Sequence, residues 1–260
     1  MNWKQVYATK RAECGEGAEF VLKGLSPWEL LFYRRDPQHA FTYHEFCTSF
    51  FMEMDNNYCT LLKFYAYGNT GVGSLGVRGE TWCYVSDKCT DLNGGRKLGG
   101  HMRKWDVATQ KPRDILLNRD VSWKVCKPGR DTSLGDLDPF KLLNLANEMG
   151  SVTGYVTKMA YPRLLPEVAT WSKVRDKFRA GDFGPLPVPL RKAIDAGQPI
   201  VVDHDPEGHG AQALVWGPDD IFHLEHNGDK TRKKPPHCKG LLMYQIFCWH
   251  HEKFRRGSEL

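Results

Sequence analysis

No stretch of this 260-residue chain approaches the roughly 18 consecutive apolar residues that a membrane-spanning helix needs. Its most apolar runs, Gly240 to Trp249 and Val201 to Val202, are of strand length. The opening Met1-Asn2-Trp3-Lys4-Gln5 has neither the apolar centre of a secretory signal nor the Arg- and Ser-rich character of a transit peptide. Internal repeats and low-complexity segments are missing, as are the His-Glu-x-x-His and Cys-x-x-Cys spacings of common metal sites. Neither sign of charge dominates: 36 basic against 31 acidic side chains leave +5. The excess is spread thinly, with local runs only at Lys230 to Lys234 and Lys253 to Arg256, and a nucleic-acid footprint needs a clustered basic face. The expectation is a globular chain, soluble or peripheral to a membrane through a partner, with no nucleic-acid role and no transmembrane helix.

What is present is a core and sulfur. With 41% hydrophobic and 12% aromatic residues the chain can bury one large or two modest domains. Of eight cysteines, four fall between Cys47 and Cys89, and Cys126 closes the block at the end of Ser122-Trp123-Lys124-Val125-Cys126. Its centre reads Thr81-Trp82-Cys83-Tyr84-Val85-Ser86-Asp87-Lys88-Cys89. Cross-links and a large indole can fix a segment too irregular to build its own core, so disulfides are expected here, with Trp82 and Trp123 as core aromatics.

Along the chain, Ala18, Phe20, Val21, Leu22 and Leu25 after Cys14-Gly15 have helical spacing, and a short second helix is expected over Trp28 to Tyr33. Phe41 to Tyr67 reads as strand, and the five glycines of Gly68 to Gly79 read as a loop. Val121 to Val125 is strand-like. Asp138-Pro139 forms an N-cap and first-turn pair for a helix that Gly150 stops. Further helices are expected from Pro166 to Ala180, closed by Gly181, and from Val188 to Ala196, closed by Gly197. Ile200 to Asp203, His209 to Trp216 and Ile221 to His226 are strands, the last two joined by the turn Gly217-Pro218-Asp219-Asp220. The apolar Leu241 to Trp249 reads as a central strand.

Two groups of residues could carry chemistry. In the final hairpin, alternation puts His223 and Glu225 on one face and His226 on the other, so the three do not converge on a metal. Asp203-His204-Asp205 and Glu207-Gly208-His209 read as a solvated polar loop, and no metal site is expected. The second group is Cys14-Gly15, then Gly197-Gln198-Pro199-Ile200-Val201-Val202, then Gly208-His209-Gly210-Ala211-Gln212-Ala213-Leu214-Val215-Trp216-Gly217. This order resembles papain-like and bacteriocin-processing cysteine peptidases, where a helix N-terminus and a histidine stabilise the thiolate. The resemblance implies Cys14 as nucleophile, His209 as base, Glu225 or Asn227 as the orienting group and Gln5 at the oxyanion hole.

The run Asn57-Tyr58-Cys59, Thr81 to Cys89, Leu92-Asn93-Gly94-Gly95, Ser122 to Gly129 and Lys158-Met159-Ala160-Tyr161-Pro162 resembles a cysteine-rich module of dinoflagellate plastid proteins. Trp82-Cys83-Tyr84-Val85-Ser86 is its most specific part. The resemblance implies two bridges among Cys59, Cys83, Cys89 and Cys126. Three connectivities are open, and Cys59 with Cys89 and Cys83 with Cys126 is the favoured one. It also implies a soluble extra or linker subunit of a photosystem and antenna supercomplex, peripheral to the thylakoid on its lumenal side. Such a subunit would bind photosystem core or antenna proteins and need no cofactor beyond peripheral chlorophyll or carotenoid contact.

The expected fold is α+β: an N-terminal helical segment (1–40), a cysteine-rich insert (41–135), and helices followed by an antiparallel sheet unit (136–260), with the first and last packing together. The expected function is that of a non-catalytic linker, with a thiol hydrolase using Cys14 and His209 as the alternative.

Overall fold

The computed structural model describes residues 1–20, 44–62, 66–67, 80–106, 111–117, 119–204, 211–227 and 246–253; of these, the side chains of 44–45, 66–67, 100–106, 111–117, 225–227 and 246–250 are not described. The expected helix at Trp28 to Tyr33 and the glycine-rich Gly68 to Gly79 lie outside this set. In chain order the regular elements begin with helix α1 (Trp3–Ala8), strands β1 (Thr60–Leu61), β2 (Ala66–Tyr67), β3 (Thr81–Ser86), β4 (Arg96–Lys97), β5 (Gly100–Asp106), β6 (Lys111–Leu117) and β7 (Val121–Val125). Helices α2 (Pro139–Met149) and α3 (Thr153–Ala160), strand β8 (Arg163–Leu164), and helices α4 (Trp171–Arg179) and α5 (Val188–Asp195) follow. Strands β9 (Pro199–Asp203), β10 (Gln212–Trp216), β11 (Asp220–Asn227) and β12 (Ile246–Lys253) complete the series. The fold is α+β, and the chain forms two compact units: Met1–Lys63 with Glu80–Ser133, and Phe64–Gly79 with Leu134–Leu260. The described part of the N-terminal segment, residues 1–20, therefore groups with the cysteine-rich block in one unit.

In the first unit, β1, β3, β7 and β4 form an antiparallel sheet in that order, and β5 pairs with β6 as a separate two-stranded ribbon. Alternation along β3 decides the interior. Trp82 and Tyr84 share a face and both are fully buried, with the Trp3 ring 4.7 Å from Trp82 and 5.2 Å from Tyr84. Trp3 also donates its indole N–H to the Tyr58 carbonyl at 2.9 Å. Gly17 permits this packing, because a Cβ there would sit 2.6 Å from the Tyr84 hydroxyl oxygen. Trp82 is core as expected, whereas Trp123 is half-buried.

The aromatic stretch expected as strand in Phe41 to Tyr67 includes one π-turn (His44–Thr48), one 3-10 turn (Phe51–Glu53) and two very short strands. Phe46, Cys47, Phe50, Phe51 and Met54 are buried while Thr48, Met52 and Asp55 are exposed, a spacing of three to four residues that suits helical turns rather than the period of two that a strand needs. Residues 14–20 are turns and bends rather than the start of a helix.

The second unit is a six-stranded sheet, β12-β11-β10-β9-β8-β2, antiparallel from β12 to β9 and parallel from β9 through β8 to β2. Both faces of its centre are covered. Ile200, Val202, Ala213, Val215 and Ile221 pack with Trp171, Val174 and Phe178 of α4 and Leu190 and Ile194 of α5. On the opposite face Phe140 of α2 meets Phe222 edge-on at 4.9 Å. The caps of α2 stand as expected: Asp138 accepts from the Lys141 N–H at 2.9 Å, and Gly150 closes the helix at φ 68°. Among the described residues strand β12 pairs with β11 alone, at an edge of the sheet rather than in the central position its apolar sequence suggests.

Candidate functional site

The expected thiol site does not form. Cys14 is buried and bonded to Cys47, with 5.8 Å between their Cα atoms, so its sulfur is no nucleophile in this state. It also lies outside any helix N-terminus, so no helix end is there to stabilise a thiolate. Gln5, expected at the oxyanion hole, is exposed on α1, where its backbone N–H is capped by Asn2 Oδ1 at 3.1 Å. His209 lies outside the described residues. Glu225 and Asn227 sit on β11 opposite Cys248 and Ile246, in the other unit from Cys14.

The sulfur cluster of the first unit is the site that the sequence and the fold share. Cys59 precedes β1 and Cys126 follows β7, the two strands that flank β3. Their backbones are fixed by hydrogen bonds, Cys59 N–H to the Thr132 carbonyl at 2.9 Å and Cys126 N–H to the Thr81 carbonyl at 2.7 Å. The two cysteines are disulfide-bonded to each other, which corrects both favoured pairings, Cys59 with Cys89 and Cys83 with Cys126. Cys83 and Cys89 are thiols.

Alternation on β3 sends Cys83 away from the face that carries Trp82 and Tyr84 and onto the disulfide, its Sγ 3.5 Å from Cys126 Sγ. The sulfurs of Cys59, Cys83 and Cys126 all lie within 4.8 Å of one another and all three residues are buried. Burial pushes the Cys83 thiol up to about 11, so it is protonated at neutral pH. Cys89 is half-buried, with Sγ 3.5 Å from the Asp91 carbonyl. The turn after Cys126 is held by Asp131, which accepts from Lys124 Nζ at 2.6 Å and from the Lys127 N–H at 2.8 Å. Partial burial opposes ionisation of Asp131, but those bonds outweigh it and hold its carboxyl below the usual range.

Three further polar clusters stand out, and one corrects an expectation: Asp203, read as part of a solvated loop, is buried at the end of β9. Glu19, fully buried, accepts from the hydroxyls of Tyr7 at 2.8 Å and of Tyr84. Burial raises its carboxyl above the usual range, with the tyrosine donors pulling the other way. In the second unit, buried Asp203 pairs with Lys158 Nζ at 3.1 Å and Arg163 Nε at 2.5 Å. His223 and Arg179 both reach Glu252, at 2.9 and 3.1 Å. Glu19 stands between Ala18 and Phe20, Asp203 closes an apolar strand, and their partners are remote in sequence, so only spacing across the fold reveals them. No family model, curated protein or solved structure matches this chain.

Proposed function

We propose that the chain is a non-catalytic structural or linker subunit of a plastid photosystem and antenna supercomplex, held at the thylakoid surface by protein contacts. The observation that carries the non-catalytic reading is the Cys14–Cys47 disulfide, which consumes the sulfur a thiol hydrolase would need. The assignment to a photosynthetic complex is supported by the resemblance of the Trp82 to Ser86 run and its flanking cysteines to dinoflagellate plastid proteins. Among the described residues no helix is long and apolar enough to cross a membrane, which suits peripheral attachment. A scaffold needs a body that keeps its shape, and the first unit supplies one through two disulfides and a buried cluster of aromatic rings. The partners in this reading are core or antenna proteins, with chlorophyll or carotenoid touching the surface at most.

The test is to release pigment–protein particles from dinoflagellate thylakoids with mild detergent and follow this chain through a density gradient. Co-migration with photosystem particles, and cross-links from it to core or antenna subunits, are the expected results. His209→Ala should leave that co-migration intact. Absence from every pigmented fraction would remove the photosynthetic reading. Stoichiometric labelling of Cys14 by a thiol-directed probe, lost on His209→Ala, would restore the hydrolase.

A further inference from the structure

The third sulfur beside the Cys59–Cys126 disulfide can act in two ways. As an attacking thiolate, Cys83 would displace Cys59 from Cys126, which requires the three sulfurs to lie nearly in line. A linear arrangement puts the outer sulfurs apart by the 3.5 Å approach plus a bond of about 2.05 Å, more than the 4.8 Å limit on their separation. The three atoms form a compact triangle instead.

A compact triangle of sulfurs is what a thiolate-bound cation requires. Zn–S bonds of about 2.3 Å in a tetrahedron set the sulfurs roughly 3.8 Å apart. Cys83 already stands at such a spacing, 3.5 Å from Cys126 and within 4.8 Å of Cys59, and the third pair, now the 2.02 Å bond, opens to it on reduction. Besides the disulfide, backbone hydrogen bonds at Cys59 and Cys126 and the β3 ladder at Cys83 position the three residues. We propose that, once the Cys59–Cys126 disulfide is reduced, Cys59, Cys83 and Cys126 form a binding site for one thiophilic divalent cation of the zinc class.

The reaction balances in two stages. A dithiol reductant gives two electrons and two protons to the Cys59–Cys126 bond and leaves as its own disulfide. The cation then displaces one proton from each of three thiols, and water takes the fourth position. Burying three sulfurs as thiolates is unfavourable without a counter-charge, so the cation and the deprotonation are coupled. Thiolate donors select zinc-like ions over magnesium or calcium. In the oxidised state the same residues are a staple, so the site exists in only one redox state. This inference does not depend on the proposed linker role and fails separately from it.

The experiment uses the full chain, reduced with a phosphine that is then removed without air, and titrated with Co(II) as the probe. The reduced protein should take one equivalent and show a near-ultraviolet sulfur-to-cobalt charge-transfer band that Zn(II) displaces. Cys83→Ser keeps the disulfide, so its fold is checked in the oxidised state by near-ultraviolet circular dichroism; after reduction it should bind Co(II) about 100-fold more weakly or worse, as a lost ligand requires at least the effect of a lost supporting partner. Alkylation of the wild-type chain with and without Zn(II) gives a reading independent of any variant: Cys59, Cys83 and Cys126 should be protected together. No charge-transfer band in the reduced wild type, equal affinity in Cys83→Ser, or protection that omits Cys83 would each overturn the proposal.

Discussion

The first unit closes its interior with sulfur and aromatic rings on a four-stranded sheet, while the second surrounds a six-stranded sheet with helices on both faces. The difference follows from how much regular structure each stretch of sequence can make. Strands β1 and β4 are two residues long, and a two-residue strand contributes too few ladder bonds to fix a chain. Cross-links and large rings take over that role. In the second unit, β9, β10 and β11 pair over five residues at each ladder or more, and the aliphatic residues on both faces are covered by helices. The polar interiors differ too. The first unit buries a carboxyl, Glu19, that burial shifts towards protonation, whereas the second buries one, Asp203, between two cationic side chains.

The largest expected effect that separates the two units is loss of the Cys59–Cys126 bridge. Its span of 67 residues makes it worth about 4 kcal/mol by loop-closure entropy. The Cys59→Ser/Cys126→Ser pair should lose amide-exchange protection in β3 and β7 while β9 to β11 keep theirs; equal loss in both units would erase the distinction. Next, Asp203→Asn leaves Lys158 and Arg163 facing a neutral amide and should cost about 3 kcal/mol in denaturant titration, with the first unit unaffected.

A smaller effect, about 1 kcal/mol, is expected from Asp138→Ala, which removes the N-cap of α2. Its carboxyl is held below the usual range: burial opposes ionisation, but the bonds and charge at Lys141 outweigh it. The stability it contributes is present above its unfolded value and lost as pH falls through the folded one. Glu19 runs the other way. Its raised carboxyl favours the fold below the unfolded value, and that advantage disappears as pH rises through the folded value. Glu19→Gln should therefore shift the first unit's midpoint upward by a few degrees near neutrality and lose that gain in acid, as followed by thermal melts at several pH values. A pH-independent shift would show that the carboxyl is not the titrating group.

Where local chemistry decided the outcome, the sequence was readable. Asp138-Pro139 and Gly150 bound α2, Gly197 ends the turn after α5, and the Gly217 to Asp220 turn sets the β10–β11 register. Helix α3 went unread because it starts without a side-chain cap and carries Thr153, Gly154 and Thr157, poor helix formers; burial of Val156 and Met159 holds it instead. Helix α4 begins at Trp171 rather than Pro166 because 166–168 form a turn. The cysteine cluster was visible as a cluster but not as a pairing, since connectivity depends on which strands flank β3. Cys14 was misread for the same reason: its partner Cys47 lies 33 residues away, and nothing local marks the bond.

The interleaving of the two units also sets an order in time. Strand β2, at residues 66–67, pairs with β8 at 163–164, so it leaves the ribosome before that partner has been made. At 5–20 residues per second the wait is roughly 5–20 s. Meanwhile the Leu62 N–H bonds the Glu80 carbonyl at 2.7 Å, and the Cys59–Cys126 bridge encloses the whole stretch between them. Once Cys126 has emerged, the first unit can close around the base of this excursion and hold its ends together. The late strand partner then meets a segment whose flanks, Leu62 and Glu80, are already joined.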